Sequence, residues 1–319
     1  MSQTDAPIVR LEPEPLPDNL TSVQPGGGVC YQIELAWGVL RRWYLRTFRA
    51  GYVRQMAALR RGSSAGAPHE ILDPRDLKYC RNQVACDWDE ADDPFGWRDR
   101  LPFARWGLAE LQLMSGALVT LGVAMVAWAH WSLAVFPAVM VLFVLYFFRN
   151  PKRRVPSEPD VLVSPADGTI AEVTRVEHDD FVGGPAVRIG IFLSVFNVHI
   201  NCAPAAARVI RLRYSPGLFL NALKAESTIY NEALWIGWEE DAPPHRRLVV
   251  RQIAGLLARR IVCNLRSGEH VARGHKFGMI KLGSRTELIC PEEPGLRVLV
   301  AVGDTVQGGQ TIVARYETL

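Results

Sequence analysis

Three short stretches hold residue types from which nucleophilic and acid–base chemistry is built: SPADG with Asp167, FNVHIN with His199, and LGSR with Gly283 and Ser284. A carboxylate, an imidazole and a hydroxyl are the parts of an activated-nucleophile site. Each also has an ordinary explanation. Asp167 followed by Gly168 suits a tight turn between the apolar runs VLV and TIAEV. His199 sits in an apolar strand, where a lone histidine is more often a satisfied core residue, and Gly283 with Ser284 also reads as a turn before TELIC. Asn231 and Glu232 fit either support of a site or local capping. Arg149, Lys152, Arg153 and Arg154 form a basic collar that reads as a topology signal or as an attraction for anionic lipid phosphate. Cys30, Cys80, Cys86, Cys202, Cys263 and Cys290 lack paired zinc spacing and disulfide-scaffold density, so they read as reduced thiols, and no metal is expected.

These residues must be positioned by the elements around them. The 319 residues suit one large or two modest domains, and a net charge of +3 gives no sign of a nucleic-acid partner. The opening stretch has neither the basic leader nor the apolar core of a secretory signal. Residues 1–30, rich in proline, glycine and acids, are expected to form a disordered arm. Within 31–107, residues 31–61 form a basic amphipathic helix bent at Gly38 or Gly51. That helix fits two readings: lying on an anionic bilayer surface, or packed on the catalytic domain with a solvated arginine face. Residues 62–100 read as irregular linker.

Residues 111–148 contain no Asp, Glu, Lys or Arg, too long for one span and suited to two of about 17 residues turning at His130 and Trp131. Residues 108–150 are therefore expected to form a transmembrane or re-entrant helical hairpin. Arginines and lysines at both ends place those ends in the cytoplasm. From 151 to 319 short runs rich in Val, Ile and Thr alternate with turn residues, which predicts an α+β fold, mainly antiparallel β, with one helix around 219–231. The segment VAVGDTVQGGQTIVARY predicts a C-terminal hairpin similar to lipoyl and biotinyl domains, without their modified lysine.

In combination and order, FFRNPKRRVP after the apolar hairpin, then SPADG, VHIN, ARRIVC and KFGMIKLGSR, resemble phosphatidylserine decarboxylase proenzymes of the short bacterial and archaeal type. The resemblance runs from about Leu108 to Leu319. It implies self-cleavage between Gly283 and Ser284, a covalent pyruvoyl cofactor made from Ser284, and Asp167 and His199 completing the self-cleavage triad. The ketone would condense with the amine of a serine headgroup, as pyridoxal phosphate does elsewhere. Some members carry a second histidine where this chain has Phe196, which leaves the proton donor for decarboxylation open. The implied partners are a phospholipid substrate, the cell membrane with the catalytic domain on its cytoplasmic side, and the two cleaved chains as a heterodimer. Phosphatidylserine and another serine phospholipid, such as an ether-linked one, are not separable by sequence. A noncatalytic membrane-anchored β-module would explain the turns but not the joint presence of Asp167, His199 and Gly283–Ser284.

Overall fold

The structure, a computed structural model, describes residues 10–128, 130–224, 226–256, 260–281 and 283–317. Residues 1–9 of the expected disordered arm lie outside the described residues. The rest of that arm departs from expectation, because residues 10–28 run along the body, with turns at Asp18–Asn19 and near Gln24, and their backbone finds partners there. Leu11 N–H donates to Glu239 (2.8 Å), Glu14 N–H to the Ile210 carbonyl (2.8 Å), and the Val23 carbonyl accepts from Cys263 N–H (2.8 Å). Leu20 and Val23 are buried, which offsets the ordering entropy that composition alone does not cover.

Helices α1 (Val29–Phe48) and α2 (Ala50–Leu59) follow, with the break at Arg49 rather than at Gly38 or Gly51. Tyr31 and Leu45 of α1 are buried while Trp37, Trp43 and Phe48 are exposed. The expected irregular linker is instead a small folded unit. Strand β1 (Arg61–Ser63) pairs with β2 (Ala85–Asp87) around the short helix α3 (Leu77–Cys80). Leu72, Cys80, Val84, Cys86 and Trp88 form its core, and Trp88 Nε1 donates to the Met56 carbonyl (2.8 Å). No helical or alternating period reveals this unit, because its apolar residues come singly from α3, β2 and the turns around them.

Next come α4 (Leu108–Ala127) and α5 (Val135–Phe147), 20 and 13 residues long rather than two equal spans. Pro137 is tolerated only in a first helical turn, which fixes where α5 begins. Among the described residues one helix, Arg105–Ala127, is long and apolar enough to cross a membrane, and the shorter α5 packs antiparallel beside it.

The remaining chain is mixed α/β and mostly antiparallel. Its elements are β3 (Val161–Val163), β4 (Gly168–Asp179), β5 (Gly184–Leu193), β6 (Ile200–Cys202), β7 (Ala207–Ser215), α6 (Ser227–Tyr230), β8 (Ala233–Glu240) and β9 (Arg247–Ile253). Then follow β10 (Ile261–Cys263), β11 (His270–Val271), β12 (Lys276–Ile280), β13 (Ser284–Pro291), β14 (Leu296–Val298), β15 (Thr305–Val306) and β16 (Ile312–Tyr316). The main sheet runs β11-β7-β8-β9-β13-β5-β4-β15, flanked by the three-stranded sheets β10-β12-β6 and β14-β16-β3. Trp238, Phe277, Leu162, Ile189 and Ile236 fill the space between them, each contributing about 1.5–3 kcal/mol by burial.

The helix expected around 219–231 shrinks to the four residues of α6. Asn231 satisfies the adjoining loop directly, its side chain accepting from Leu220 N–H (2.8 Å) and donating to the carbonyls of Leu220 (2.9 Å) and Ala254 (2.7 Å). In the C-terminal segment β14 and β16 pair as a ladder, Leu296 opposite Tyr316, but no tight turn joins them. The connection crosses to the main sheet, where β15 pairs with β4, and its glycines dock on SPADG: Gly309 N–H donates to the Ser164 carbonyl (2.8 Å).

Candidate active site

Ser284 opens β13 opposite Leu193 of β5, and it is fully buried. Its Oγ is a buried hydroxyl with no hydrogen-bond partner among the described residues. Buried polar atoms are normally paired, so an orphaned hydroxyl beside a peptide bond is a candidate for chemistry. Gly283 has φ 66°, a left-handed conformation costly for a residue with a side chain. Its carbonyl lies against Gly255, where a Cβ would stand 2.3 Å from the oxygen.

His199 reaches the same bond from the β5–β6 connection. Ser194 N–H and Oγ both donate to Asn197 Oδ1 (2.9 and 2.7 Å), closing the turn that carries the ring inward. Nδ1–H donates to the Asn197 carbonyl (2.9 Å), which leaves Nε2 as an acceptor, and Nε2 receives the Gly283 N–H (2.9 Å). Phe147, at the end of α5, covers the imidazole at 4.6 Å between ring centroids. Burial pushes His199 down to about 4, with Arg149 adding to the fall and the Asn197 carbonyl opposing it. The ring is therefore a neutral base at neutral pH.

Asp167 is also buried, but its bonds go elsewhere. Oδ1 accepts from Gly308 N–H (2.8 Å) and Oδ2 from Arg153 (2.5 Å). Burial raises its pKa, and the Gly308 and Arg153 bonds hold it down against that effect. It lines a small cavity with Val198 and Ile200, the two neighbours of His199. Thus His199, Gly283 and Ser284 come together, while the carboxylate is engaged by the basic collar and the C-terminal connection rather than by the imidazole. Phe196 is exposed and packs edge-on to Phe143 of α5 (6.2 Å).

Three groups near this site carry no motif of their own. Gly255 is an inconspicuous glycine after a strand. Lys281, two residues before Gly283, is buried and bonds Glu110 at the start of α4 and Gln24 Oε1 of the N-terminal arm (3.1 Å). Glu232 is pushed up to about 7 by burial despite nearby Arg260, and Gly26 of the arm packs on its carboxylate. Only the Asn-Glu pair hinted at the last.

Residues 140–314 match the profile of a family described as phosphatidylserine decarboxylase. A phosphatidylserine decarboxylase proenzyme of Rhodopirellula baltica is 51% identical over 242 residues, covering 76% of this chain and 99% of that protein. Proenzymes of the same name from Symbiobacterium thermophilum and Carboxydothermus hydrogenoformans are 44% and 41% identical over 63% of this chain, covering 91% and 93% of their own lengths.

Proposed function

The chain belongs to the phosphatidylserine decarboxylase family, and from that premise we propose that it converts phosphatidylserine to phosphatidylethanolamine through a pyruvoyl group made from its own Ser284. The observation that carries the cleavage site is the orphaned, buried Ser284 Oγ beside a left-handed Gly283 whose N–H rests on His199 Nε2.

Cleavage begins when His199 Nε2 exchanges the Gly283 N–H for the hydroxyl one residue on and takes its proton. Oγ attacks the Gly283 carbonyl carbon, the peptide C–N bond breaks, and the imidazolium returns the proton to the Ser284 nitrogen, leaving an ester. Loss of the Ser284 α-proton expels the Gly283 carboxylate, and hydrolysis of the resulting dehydroalanine consumes water and releases ammonia. The Asn197 carbonyl fixes the useful tautomer, and burial keeps the ring neutral. Asp167 is the third member of this reading; to orient the imidazole its carboxylate must release Arg153, so the basic collar controls its availability.

The pyruvoyl group supplies a ketone for the substrate amine and an adjacent carbonyl that draws electrons as CO2 leaves. With Phe196 exposed against Phe143, His199, whose Nε2 accepts the Gly283 N–H, is the proposed proton source for the substrate α-carbon. We propose further that the α4–α5 hairpin enters the bilayer with both ends cytoplasmic. Helix α4 spans about 30 Å and α5 about 20 Å at 1.5 Å per residue, and their exposed surfaces are apolar. Because Phe147 of α5 covers His199, the headgroup would be met at the membrane surface.

Intact-mass analysis of purified protein tests the reading. It should give chains of residues 1–283 and 284–319, the smaller with a pyruvoyl N-terminus, while Ser284→Ala stays full length. Lipid extracts of a host unable to make phosphatidylethanolamine should regain that lipid with the wild type alone. A full-length, inactive wild-type chain would overturn it.

A further inference from the structure

Between α1 and the start of α4 runs a groove walled by Trp37 and Arg41 on one side and Trp97, Arg98 and Arg105 on the other, with Leu113 of α4 at its apolar end. Its charge is unbalanced. Arg41, Arg42 and Arg75 share two buried carboxylates, Asp73 and Asp76, Lys78 takes Glu34, the one carboxylate lining the groove among the described residues, and Arg105 takes Asp99 (2.5 Å). Arg98 has no carboxylate partner among the described residues. Its guanidinium carbon lies 5.1 Å from the Phe95 ring centroid and 5.7 Å from that of Trp97. Burial, then the neighbouring Arg105 and Arg75, pushes its pKa down.

The groove also has an interfacial character. Trp37 and Trp97 are 65% and 55% exposed, unusual for the residue that best combines an apolar body with a polar edge at headgroup depth. From Leu113 the surface of α4 continues apolar through Met114 and Val119, all exposed.

We propose that this groove is a second lipid site, distinct from the decarboxylation centre, which holds the phosphodiester of an anionic bilayer phospholipid on Arg98, with the two tryptophans beside the headgroup and acyl chains along α4. An arginine fork matches phosphate oxygens in pairs, and a net positive groove prefers an anionic over a zwitterionic headgroup. The site ties the N-terminal helices to the membrane beside α4, and it rests on the reading of α4 as a membrane helix.

The test uses the full-length processed enzyme in detergent, titrated in native mass spectrometry with phosphatidylglycerol, which has no amine and is no substrate, and separately with phosphatidylcholine. One tightly held phosphatidylglycerol is expected, weakened about tenfold by Arg98→Gln, weakened less by Arg98→Lys, which keeps the charge but not the fork, and not displaced by millimolar inorganic phosphate. Complete self-cleavage of each variant reports that it is folded. Equal binding of the two lipids, an unchanged affinity in Arg98→Gln, or displacement by phosphate would overturn the site. Flotation with phosphatidylcholine vesicles separates the premises: failure to float removes the membrane reading and the site with it, whereas flotation without phosphatidylglycerol selectivity removes the site alone.

Discussion

The proposed reaction at Gly283 depends on where one proton sits. Burial holds His199 at about 4 against about 6.5 in an unfolded chain, so the native state binds fewer protons across that interval. Stability from this residue is complete above about pH 6.5 and is lost as pH falls toward 4, about 3 kcal/mol over the window. Urea unfolding of the Ser284→Ala precursor at pH 7.5 and 5 should show about 2 kcal/mol of this loss, and adding His199→Gln should shrink it. Equal losses in both proteins would refute a buried neutral imidazole. Processing of newly made wild-type chain should likewise be flat from about pH 5 to 8 and fall to half near pH 4. Gly255 makes a purely steric demand, since a Cβ there would strike the Gly283 oxygen. Gly255→Ala should accumulate folded precursor, seen as a single band with an unchanged circular dichroism spectrum; normal cleavage would show that the close approach is dispensable.

Elements hold these residues in place, and not all of them belong to the catalytic sheet. The segment before Gly283 is gripped through Lys281 by Glu110 of α4 and Gln24 of the arm, so the apolar hairpin and the proposed scissile bond share a fixed point. Glu110→Gln leaves a buried ammonium without its carboxylate, a loss of about 3–5 kcal/mol for a buried pair. Pulse-chase labelling should therefore show processing slowed several-fold with cleavage still at Gly283, and a wild-type rate would make the pair incidental. The sheet itself was legible because alternation and turn residues are local signals, and the apolar hairpin because its composition is extreme. The folded unit over 62–100 and the docked arm were not, since their burial comes from single residues meeting partners far along the chain, as Trp88 meets Met56. Motif order brought out His199, Gly283 and Ser284, but the pairing of Asp167 with Arg153 and Gly308 depends on a crossing connection that no spacing reveals.

On the scale of the whole molecule, cleavage would cut beside the most enclosed strand. Strand β13 begins at Ser284 and lies between β9 and β5 in the eight-stranded sheet, with Leu288 and Cys290 fully buried and Glu287 held by Arg251 (2.7 Å) and Arg285 (2.9 Å). The chain that follows supplies β14, β15 and β16, so the small fragment contributes to two sheets. Removing it would expose two rows of backbone hydrogen bonds and a buried ionic group, each costly to leave unpaired. The two chains should therefore remain a heterodimer without any covalent link, eluting together in native size-exclusion chromatography and separating only when the whole protein unfolds. A calorimetric scan of the processed enzyme should show one transition within a few degrees of that of the Ser284→Ala precursor. Release of the small chain below that transition would mean that β13 is not the central strand on which the large chain depends.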